Sequence, residues 1–309
     1  MKRLSGFTLT ELLIAVAVGT LVTLLAAKLL VATSNAYVSQ TEAANVDDAG
    51  RFALATIERA ARQTGYGNFD RDDAAGAVDP AGQPAIMGLD AASLSSDSEA
   101  IGSPKPAAVN GSDVLALRFA GSGGAGGDGS VTTCAGFSVG AGQDGWSIFY
   151  VGANGKGEPE LRCKYRGANN WSAEAVVGGV DSFQVLYGLD TDAVPDGQAN
   201  RFVPASEISE LDASLALDGE TDGDRSRDHM RKTWWKRVAS IKVALALHGA
   251  RRSKSVGAPP VLHLFGAGYS AAAQGDAGTS VDQGAMTQAL RERERRTFSA
   301  TILLRNSLQ

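Results

Sequence analysis

The sequence is poor in histidine, cysteine and proline, and the shortage of histidine bears most directly on function. Of the 309 residues, three are histidine, two are cysteine and nine are proline. The histidines, His229, His248 and His263, are scattered, so they form no short-spaced pair for a metal. No Ser-His-Asp or Cys-His arrangement has a local signature in the chain. The sequence therefore predicts a protein that is not an enzyme.

A basic surface is also missing. The formal net charge is −5. The most basic run, residues 291–296 (RERERR), alternates in sign, which predicts a solvated segment rather than a binding patch. An acidic chain without a basic stripe argues against nucleic acid as the main partner.

One long hydrophobic run is present, at the N-terminus. A short basic head ends at Gly6, and an apolar stretch follows from Phe7 to about Ala32. As a helix, this stretch is long enough to cross the roughly 30 Å hydrocarbon core of a membrane. It contains an acid, Glu11, which needs a partner to be stable there. A secretory signal peptide has a shorter uncharged core and a small-residue cleavage site, and an ordinary membrane anchor leaves Glu11 unexplained.

The segment Gly6-Phe7-Thr8-Leu9-Thr10-Glu11, followed by the apolar helix, resembles the class III signal of type IV pilins and pseudopilins. The resemblance implies that a prepilin peptidase cuts after Gly6 and methylates the new N-terminal amine of Phe7. It also implies that Glu11 neutralises the N-terminal amine of a neighbouring subunit in the filament. That contact would give the buried acid its partner and set the register of assembly.

Periodicity predicts that the helix continues to about Thr64. Small and apolar residues recur at spacings of three and four and form one stripe: Val46, Ala49, Ala53, Ile57, Ala60 and Ala61. No proline occurs before Pro80, and Gly65-Tyr66-Gly67 supplies a stop. The second half of such a helix suits packing on a sheet, whereas the first half has no soluble core to join.

The remainder of the chain is rich in glycine, which predicts a turn-rich β domain. Residues 68–112 read as a long irregular connection with room for a short helix or strand, and glycine-rich residues 121–127 read as a flexible strand connection. The predicted strands are Val114–Ala120, Val131–Val139, Trp146–Val151, Leu161–Arg166, Val176–Tyr187, Trp235–Leu247, Val261–Phe265 and Thr297–Leu304. The turns between them favour antiparallel pairing.

The predicted fold class is therefore α+β, with the long helix packed on a C-terminal antiparallel sheet domain. The resemblance identifies this arrangement with the type IV pilin fold. The predicted division is a leader at 1–6, a long helix at 7–66 and a β-rich domain at 67–309. Residues 7–32 of the helix would span the membrane or lie in the filament core.

The two cysteines, Cys134 and Cys163, are predicted to pair. The leader argues for export, and an oxidising compartment favours a disulfide. Closing a loop of about thirty residues would contribute roughly 3–4 kcal/mol in the chain-entropy model. The alternatives are two free buried thiols or a metal pair, although two cysteines without nearby histidines make a poor zinc site.

Two acidic clusters could hold a structural calcium ion. Their members are Asp190, Asp192 and Asp196 in the first cluster, and Asp218, Glu220, Asp222 and Asp224 in the second. Carboxylates at alternate positions around a glycine turn can wrap a hard cation. Each cluster departs from the calcium-loop pattern, with Val194 and His229 where ligands should fall. A solvated acidic loop is the default interpretation, and no other cofactor is expected.

Several downstream segments resemble PilW-type minor pilins: Gly50–Leu54 with Gly65-Tyr66, Tyr187–Asp192, Trp235–Val238 and Arg295–Thr301. The resemblance implies a minor pilin that helps to initiate type IV pilus assembly and sits at or near the pilus tip. Its implied partners are other minor pilins, the major pilin, a large tip adhesin, the prepilin peptidase and the inner-membrane assembly platform. It would be a single-pass inner-membrane precursor with a periplasmic domain before it reaches the pilus at the cell surface.

Other functions stay open at this stage. The J-type pseudopilin of type II secretion is related to PilW-type proteins and shares the pilin fold. A surface-binding, adhesin-like module tethered by the helix would need exposed aromatic or basic clusters on the β domain. The candidates in the sequence are Trp234 and Trp235, and Trp235 is predicted to lie in the core. An anchored enzyme has no motif behind it.

Overall fold

A computed structural model describes residues 8–67, 82–106, 109–167, 169–252 and 261–306. The α-helices are α1 (Leu9–Gln63), α2 (Ala205–Ala213), α3 (Asp222–Lys232), α4 (Ala267–Ala272) and α5 (Gln288–Arg291). The strands up to the middle of the chain are β1 (Ile86–Leu89), β2 (Ala92–Ser93), β3 (Lys105–Pro106), β4 (Val114–Ala120), β5 (Asp144–Ala153), β6 (Pro159–Arg166) and β7 (Trp171–Gly178). The later strands are β8 (Val180–Leu189), β9 (Arg201–Val203), β10 (Val238–Arg252), β11 (Val261–His263), β12 (Ser280–Asp282) and β13 (Arg293–Leu303).

Helix α1 has two halves with opposite environments. Every residue from Thr8 to Tyr37 is exposed, although most of them are apolar. The second half buries a stripe of small and apolar side chains that includes Val46, Ala53 and Ile57, as the spacing predicts. The helix is about 80 Å long and ends at Gln63, one residue before the predicted end.

The sheets form the α+β arrangement that the sequence predicts. One antiparallel sheet has the strand order β1-β4-β5-β6-β7, and a second has the order β13-β10-β8-β9. Helix α1 packs mainly on β13 and β10, with further contacts to β7 and β4. The main core therefore lies between the second half of the helix and both sheets, with residues such as Ile57, Phe149 and Val243 fully buried. Short strands β1, β2 and β3 fall within residues 68–112, the connection in which the sequence allows a short helix or strand.

The predicted strand Val131–Val139 is wrong. These residues form a tight turn that closes on itself through a bridge between Thr132 and Ser138. Gly136 has φ +85°, a left-handed conformation that glycine adopts without strain. Val131 and Val139 are buried at the two ends of the turn, and these apolar ends imitate a strand in the sequence.

The predicted strand Val176–Tyr187 is two strands. It breaks at Gly179, where the chain leaves β7 of the first sheet and enters β8 of the second. Gly179 has φ +74°, and a Cβ placed there would lie 2.4 Å from the backbone oxygen of His248. Backbone crowding and the left-handed turn both require glycine, so an apparently continuous apolar run changes sheet at this position.

Several other strand boundaries differ from the predictions by two to five residues, as at β5, β6, β10, β11 and β13. Trp234–Arg237 form a 3-10 turn, so the predicted strand at Trp235 begins at Val238. Trp235 itself is buried and contacts Tyr187 edge to face at 4.9 Å between ring centroids, which confirms that it belongs to the core. Strand β13 begins at Arg293, four residues before the predicted start.

Candidate functional site

The described chain begins beside the predicted processing site. Gly6 and Phe7 lie outside the described residues. Thr8 is the N-cap of α1, and its hydroxyl accepts a hydrogen bond from the Glu11 backbone N–H at 3.3 Å. In return, the Glu11 carboxylate accepts from the Thr8 backbone N–H at 2.8 Å and from the Thr8 hydroxyl at 2.9 Å. Thr8 and Glu11 thus form a capping box, which orients the carboxylate at the helix start.

Both bonds that Glu11 accepts end on the same oxygen, Oε2. Within the described part of the chain, Oε1 has no hydrogen-bond or ion-pair partner. The neighbouring side chains of Leu9 and Leu12 are exposed, so a partner that covers them would also remove water from around the carboxylate. A carboxylate in such surroundings attracts a cation far more strongly than it does in water. The signal for this role in the sequence is the Thr-x-x-Glu pattern of a capping box at Thr8 and Glu11.

The apolar half of α1 is a large unpartnered surface. Within the described ranges, α1 is the one helix that is long and apolar enough to cross a membrane, and its most apolar window has no residue buried by the rest of the protein. Exposed leucines and valines of this half include Leu13, Leu21 and Leu25. Apolar surface on this scale is covered by lipid or by other protein.

Close contacts fix the second half of α1 on the sheet. A Cβ placed at Gly50 would lie 2.4 Å from ring atoms of Phe298 on β13. Arg296 of the same strand pairs with Asp47 at 2.5 Å. Glu42 is buried, and its carboxylate accepts from the backbone N–H of Arg251 on β10 at 3.1 Å. The exposed half of α1 therefore extends from a second half that is firmly packed on the sheet.

A network of charged side chains joins the two sheets beside the second half of α1. His248 Nδ1 lies 3.0 Å from an oxygen of Asp181, and Arg295 Nε donates to the other oxygen of Asp181 at 2.8 Å. Arg293 donates two bonds of 2.9 Å to Glu158, and this hydrogen-bonded guanidinium lowers the pKa of Glu158 to about 2. His248 is therefore a hydrogen-bonded histidine of the interior, with a structural role.

The interpretation of residues 291–296 as a solvated segment is wrong. Arg295 is only 7% exposed, and Arg293 is largely covered. Both belong to β13, where alternate side chains point to the same face, so their spacing of two directs both towards the acids of the network. Alternating charge in a strand can thus mark an inward-facing row of paired side chains.

The predicted disulfide between Cys134 and Cys163 is present. It ties the tight turn at 131–139 to strand β6. The next residue of β6, Lys164, has its side chain fully buried and donates to the Ser98 hydroxyl and the Ala100 carbonyl, both at 2.8 Å. Burial lowers the pKa of Lys164 to about 8. In the sequence, Lys164 is a single charged residue inside a predicted strand, and no pattern there indicates that its side chain is buried.

The two acidic clusters differ in the structure. Among the described residues, Asp190, Asp192 and Asp196 bring three carboxylate oxygens within 4.8 Å of one another. The Asp190 carboxylate already accepts from three backbone N–H groups, those of Asp192, Asp196 and Gly197, and these bonds lower its pKa. A loop without calcium stays the default prediction here, and calcium binding stays its untested alternative.

The second acidic cluster lies at the start of a helix, and calcium binding there is untested. Asp222 and Asp224 lie in the first turn of helix α3, where Thr221 and Asp224 form a capping box. Each acid is paired with an arginine of the helix at 2.6 Å, and Lys232 pairs with Asp218 at 2.7 Å. Glu220 directly precedes the cap, so the cluster, Asp218, Glu220, Asp222 and Asp224, opens a helix.

The capped N-terminal helix, its unpartnered apolar half and the α+β domain define a type IV pilin-like protein. A family model of the prokaryotic N-terminal methylation motif matches residues 1–27, and the model of Type IV Pilus-assembly protein W matches residues 148–306. The chain therefore belongs to the family of type IV pilus-assembly protein W and is a type IV pilus-associated minor pilin. No curated protein and no solved structure matches the chain significantly.

Family membership agrees with the geometry of the helix. The methylation motif and the exposed apolar half of α1 fit a membrane-anchored precursor of a pilus component. Membership also implies that the protein contacts other components of the pilus. Domains of this family are structural rather than catalytic.

Proposed function

We propose that this minor pilin helps to initiate type IV pilus assembly and occupies a position at or near the pilus tip. The observation that carries the proposal is the exposed apolar half of α1 with its single oriented carboxylate. Such a helix is built to pack among the helices of other pilins and not against its own domain. Its partners are other minor pilins, the major pilin and a large tip adhesin.

The size of the β domain supports a position at an end of the filament. The domain predicted at 67–309 is far larger than the helix that carries it. A bulky domain hinders the close repetition of identical subunits, whereas a tip subunit has neighbours only below it.

The precursor is a single-pass protein of the inner membrane with a periplasmic domain. The prepilin peptidase cuts it after Gly6, and the inner-membrane assembly platform passes it to the pilus.

In the assembled filament, the free Oε1 of Glu11 receives the Phe7 amine of a neighbouring subunit. The capping box holds the carboxylate in place before the neighbour arrives, which reduces the entropy cost of the contact. Water is scarce among packed apolar helices, so this charge pair selects one axial register over others.

The test separates the charge of Glu11 from its capping role. Glu11→Gln keeps an acceptor for the Thr8 N–H but has no charge, whereas Thr8→Ala removes the cap hydroxyl and keeps the charge. Glu11→Ala removes both. We expect Glu11→Gln and Glu11→Ala to be processed and stable in membranes but nearly absent from sheared filaments. Thr8→Ala should be incorporated at near wild-type amounts, as measured by quantitative immunoblotting.

Wild-type incorporation of Glu11→Gln would contradict the role of the charge. A deletion strain tests the wider proposal, since loss of the protein should reduce surface pili. If the deletion instead blocks type II secretion and leaves pilus number unchanged, the protein acts as a secretion pseudopilin.

A further inference from the structure

A cleft lies at the pole of the domain that faces away from the membrane half of α1. Gln63, the last residue of α1, accepts a hydrogen bond from the Thr132 backbone N–H at 2.9 Å. The turn at 131–139 therefore contacts the end of the helix that is opposite its exposed half. Tyr66, which follows the helix, packs against the buried cluster that Val131 and Val139 form with Phe119 of β4. A ligand bound here would be clear of the lipid and of the helix bundle.

The turn presents an exposed aromatic ring, that of Phe137, which is 54% exposed. One side of the ring packs on Tyr165, with 5.0 Å between ring centroids and 30° between planes. The Phe137 carbonyl accepts from the Thr133 backbone N–H at 2.8 Å. Next to it, the Cys134–Cys163 disulfide ties the turn to β6, and the Cys134 backbone N–H donates to the Ser147 hydroxyl at 2.9 Å. The exposed ring is thus held rigidly, so a ligand that stacks on it pays little ordering entropy.

Beside the ring is a cleft of about 710 Å³, a volume in the range of small-molecule sites. Its rim carries four exposed planar polar side chains, those of Gln143, Asp144, Arg166 and Asn170, and Asp144 pairs with Arg118 at 3.1 Å. The other three side chains, those of Gln143, Arg166 and Asn170, make no hydrogen bond or ion pair with another residue in the described ranges. Together they offer amide and guanidinium donors and amide acceptors that are not engaged inside the protein.

We propose that this cleft binds carbohydrate, with one sugar ring stacked on Phe137. A sugar ring has a face of C–H groups, which the negative face of an aromatic ring attracts, and an edge of hydroxyl groups. The hydroxyls hydrogen-bond to Gln143, Arg166 and Asn170. A peptide ligand fits less well because the cleft offers one aromatic platform with a polar rim and not a row of apolar pockets.

The site deepens the proposed function, because a sugar-binding pole is useful to a pilus only if this subunit is displayed at the tip. Binding itself does not depend on assembly. The Glu11→Gln variant should bind sugar as well as the wild type does, so failure of one proposal is distinguishable from failure of the other.

The experiment uses the full chain in micelles of lauryldimethylamine oxide, since alkyl glycoside detergents carry sugar head groups of their own. Saturation-transfer NMR is recorded with cellobiose, chitobiose, lactose and digalacturonate. We expect transfer to at least one of these sugars, with its affinity reduced about tenfold or more in Phe137→Ala and kept in Phe137→Trp. Phe202→Ala is the matched control, because Phe202 is also an exposed phenylalanine but lies on β9.

Binding of digalacturonate alone, lost in Arg166→Gln, supports the proposal with an acidic sugar as the ligand. Absence of transfer to every sugar at millimolar concentration overturns it, and so does binding that Phe137→Ala leaves unchanged. If no sugar binds and cross-linking from position 137 instead captures another pilin, this face is a protein interface and the carbohydrate proposal is wrong. Near-ultraviolet circular dichroism of each variant confirms that the fold is intact.

Discussion

Lys164 is a cation enclosed by its own domain. Its ammonium group donates to Ser98 and Ala100 and lies 5.4 Å from the ring centroid of Trp171. These contacts attach the segment before β3 to strand β6, beside the disulfide. The partners compensate only part of the lost hydration, so the pKa of Lys164 is lowered from 10.5 to about 8.

The lowered pKa of Lys164 predicts that the free energy of unfolding changes with pH in the alkaline range. Between about pH 8 and pH 10.5, the unfolded chain keeps the lysine proton that the folded chain has lost, so the contribution of Lys164 to stability rises with pH. We expect the free energy of unfolding of the wild type to increase relative to that of Lys164→Met from pH 7.5 to pH 10. Urea unfolding at both pH values measures this. Lys156→Met, at an exposed lysine, should follow the wild type, and parallel pH profiles for wild type and Lys164→Met would contradict the prediction.

The loop at Asp190 gives a prediction about metal removal. Three backbone N–H groups already satisfy the buried Asp190 carboxylate, so the loop closes without a cation. We expect a chelator to leave the melting temperature unchanged. A fall on chelation that calcium restores, and that is absent in the double variant Asp192→Asn/Asp196→Asn, would show instead that the loop binds calcium.

At the scale of elements, periodicity predicts the helices and strands whose pattern depends on residues close together in the chain. The stripe from Val46 to Ala61 is readable because a helix repeats every 3.6 residues and buries one face. Strand β4 was predicted at its observed bounds. The turn at 131–139 was missed because a disulfide and buried valines hold it, and these are contacts made across the fold. The paired arginines of β13 were missed for the same reason, since Asp181 lies more than a hundred residues away.

The docking of α1 on β13 depends on the absence of a side chain at Gly50. Gly50→Ala should raise intrinsic helix propensity by about 1 kcal/mol. We nevertheless expect a net loss of roughly 1–3 kcal/mol in the free energy of unfolding, because the new methyl group overlaps the Phe298 ring. Chemical denaturation measures the change.

Gly19→Ala is the matched control, since a Cβ at Gly19 meets no atom within 4 Å. It should leave the unfolding of the domain unchanged. Combining Gly50→Ala with Phe298→Ala should cost less than the sum of the two single changes, because the overlap is gone. Additive losses would show that the overlap is not the cause.

The disulfide is predicted to act on both stability and the cleft. It closes a loop across a sequence separation of 29. Changing both cysteines to serine should cost roughly 3–4 kcal/mol of unfolding free energy in the chain-entropy model. Because the turn that carries Phe137 is then no longer tied to β6, sugar affinity should fall in the same variant. Unfolding curves that match the wild type would contradict the prediction.

On the scale of the whole molecule, the two proposed activities lie at opposite poles. The exposed half of α1 makes no contact with the domain, and the turn with Phe137 contacts the other end of the helix. Between them, the pair of Arg293 with Glu158 joins the second sheet to the start of β6 in the first, and the pair of Arg295 with Asp181 ties β13 to β8 within the second sheet. The helix can therefore be packed into a filament without covering the cleft.

One tryptic peptide, the one that carries the N-terminus, shows whether the chain is processed and whether it reaches the filament. Because no lysine or arginine occurs between Phe7 and Lys28, trypsin releases residues 7–28 from the processed protein and a peptide beginning at Leu4 from the precursor. We expect mass spectrometry of sheared filaments to find the first peptide, with one methyl group on the Phe7 amine. A strain without the prepilin peptidase should yield only the peptide from Leu4, in membranes. Mature peptide confined to the membranes of wild-type cells would favour a pseudopilin or an assembly primer that stays behind. Precursor peptide alone, in cells with an active peptidase, would contradict both the processing and the assembly built on the charge pair between Phe7 and Glu11.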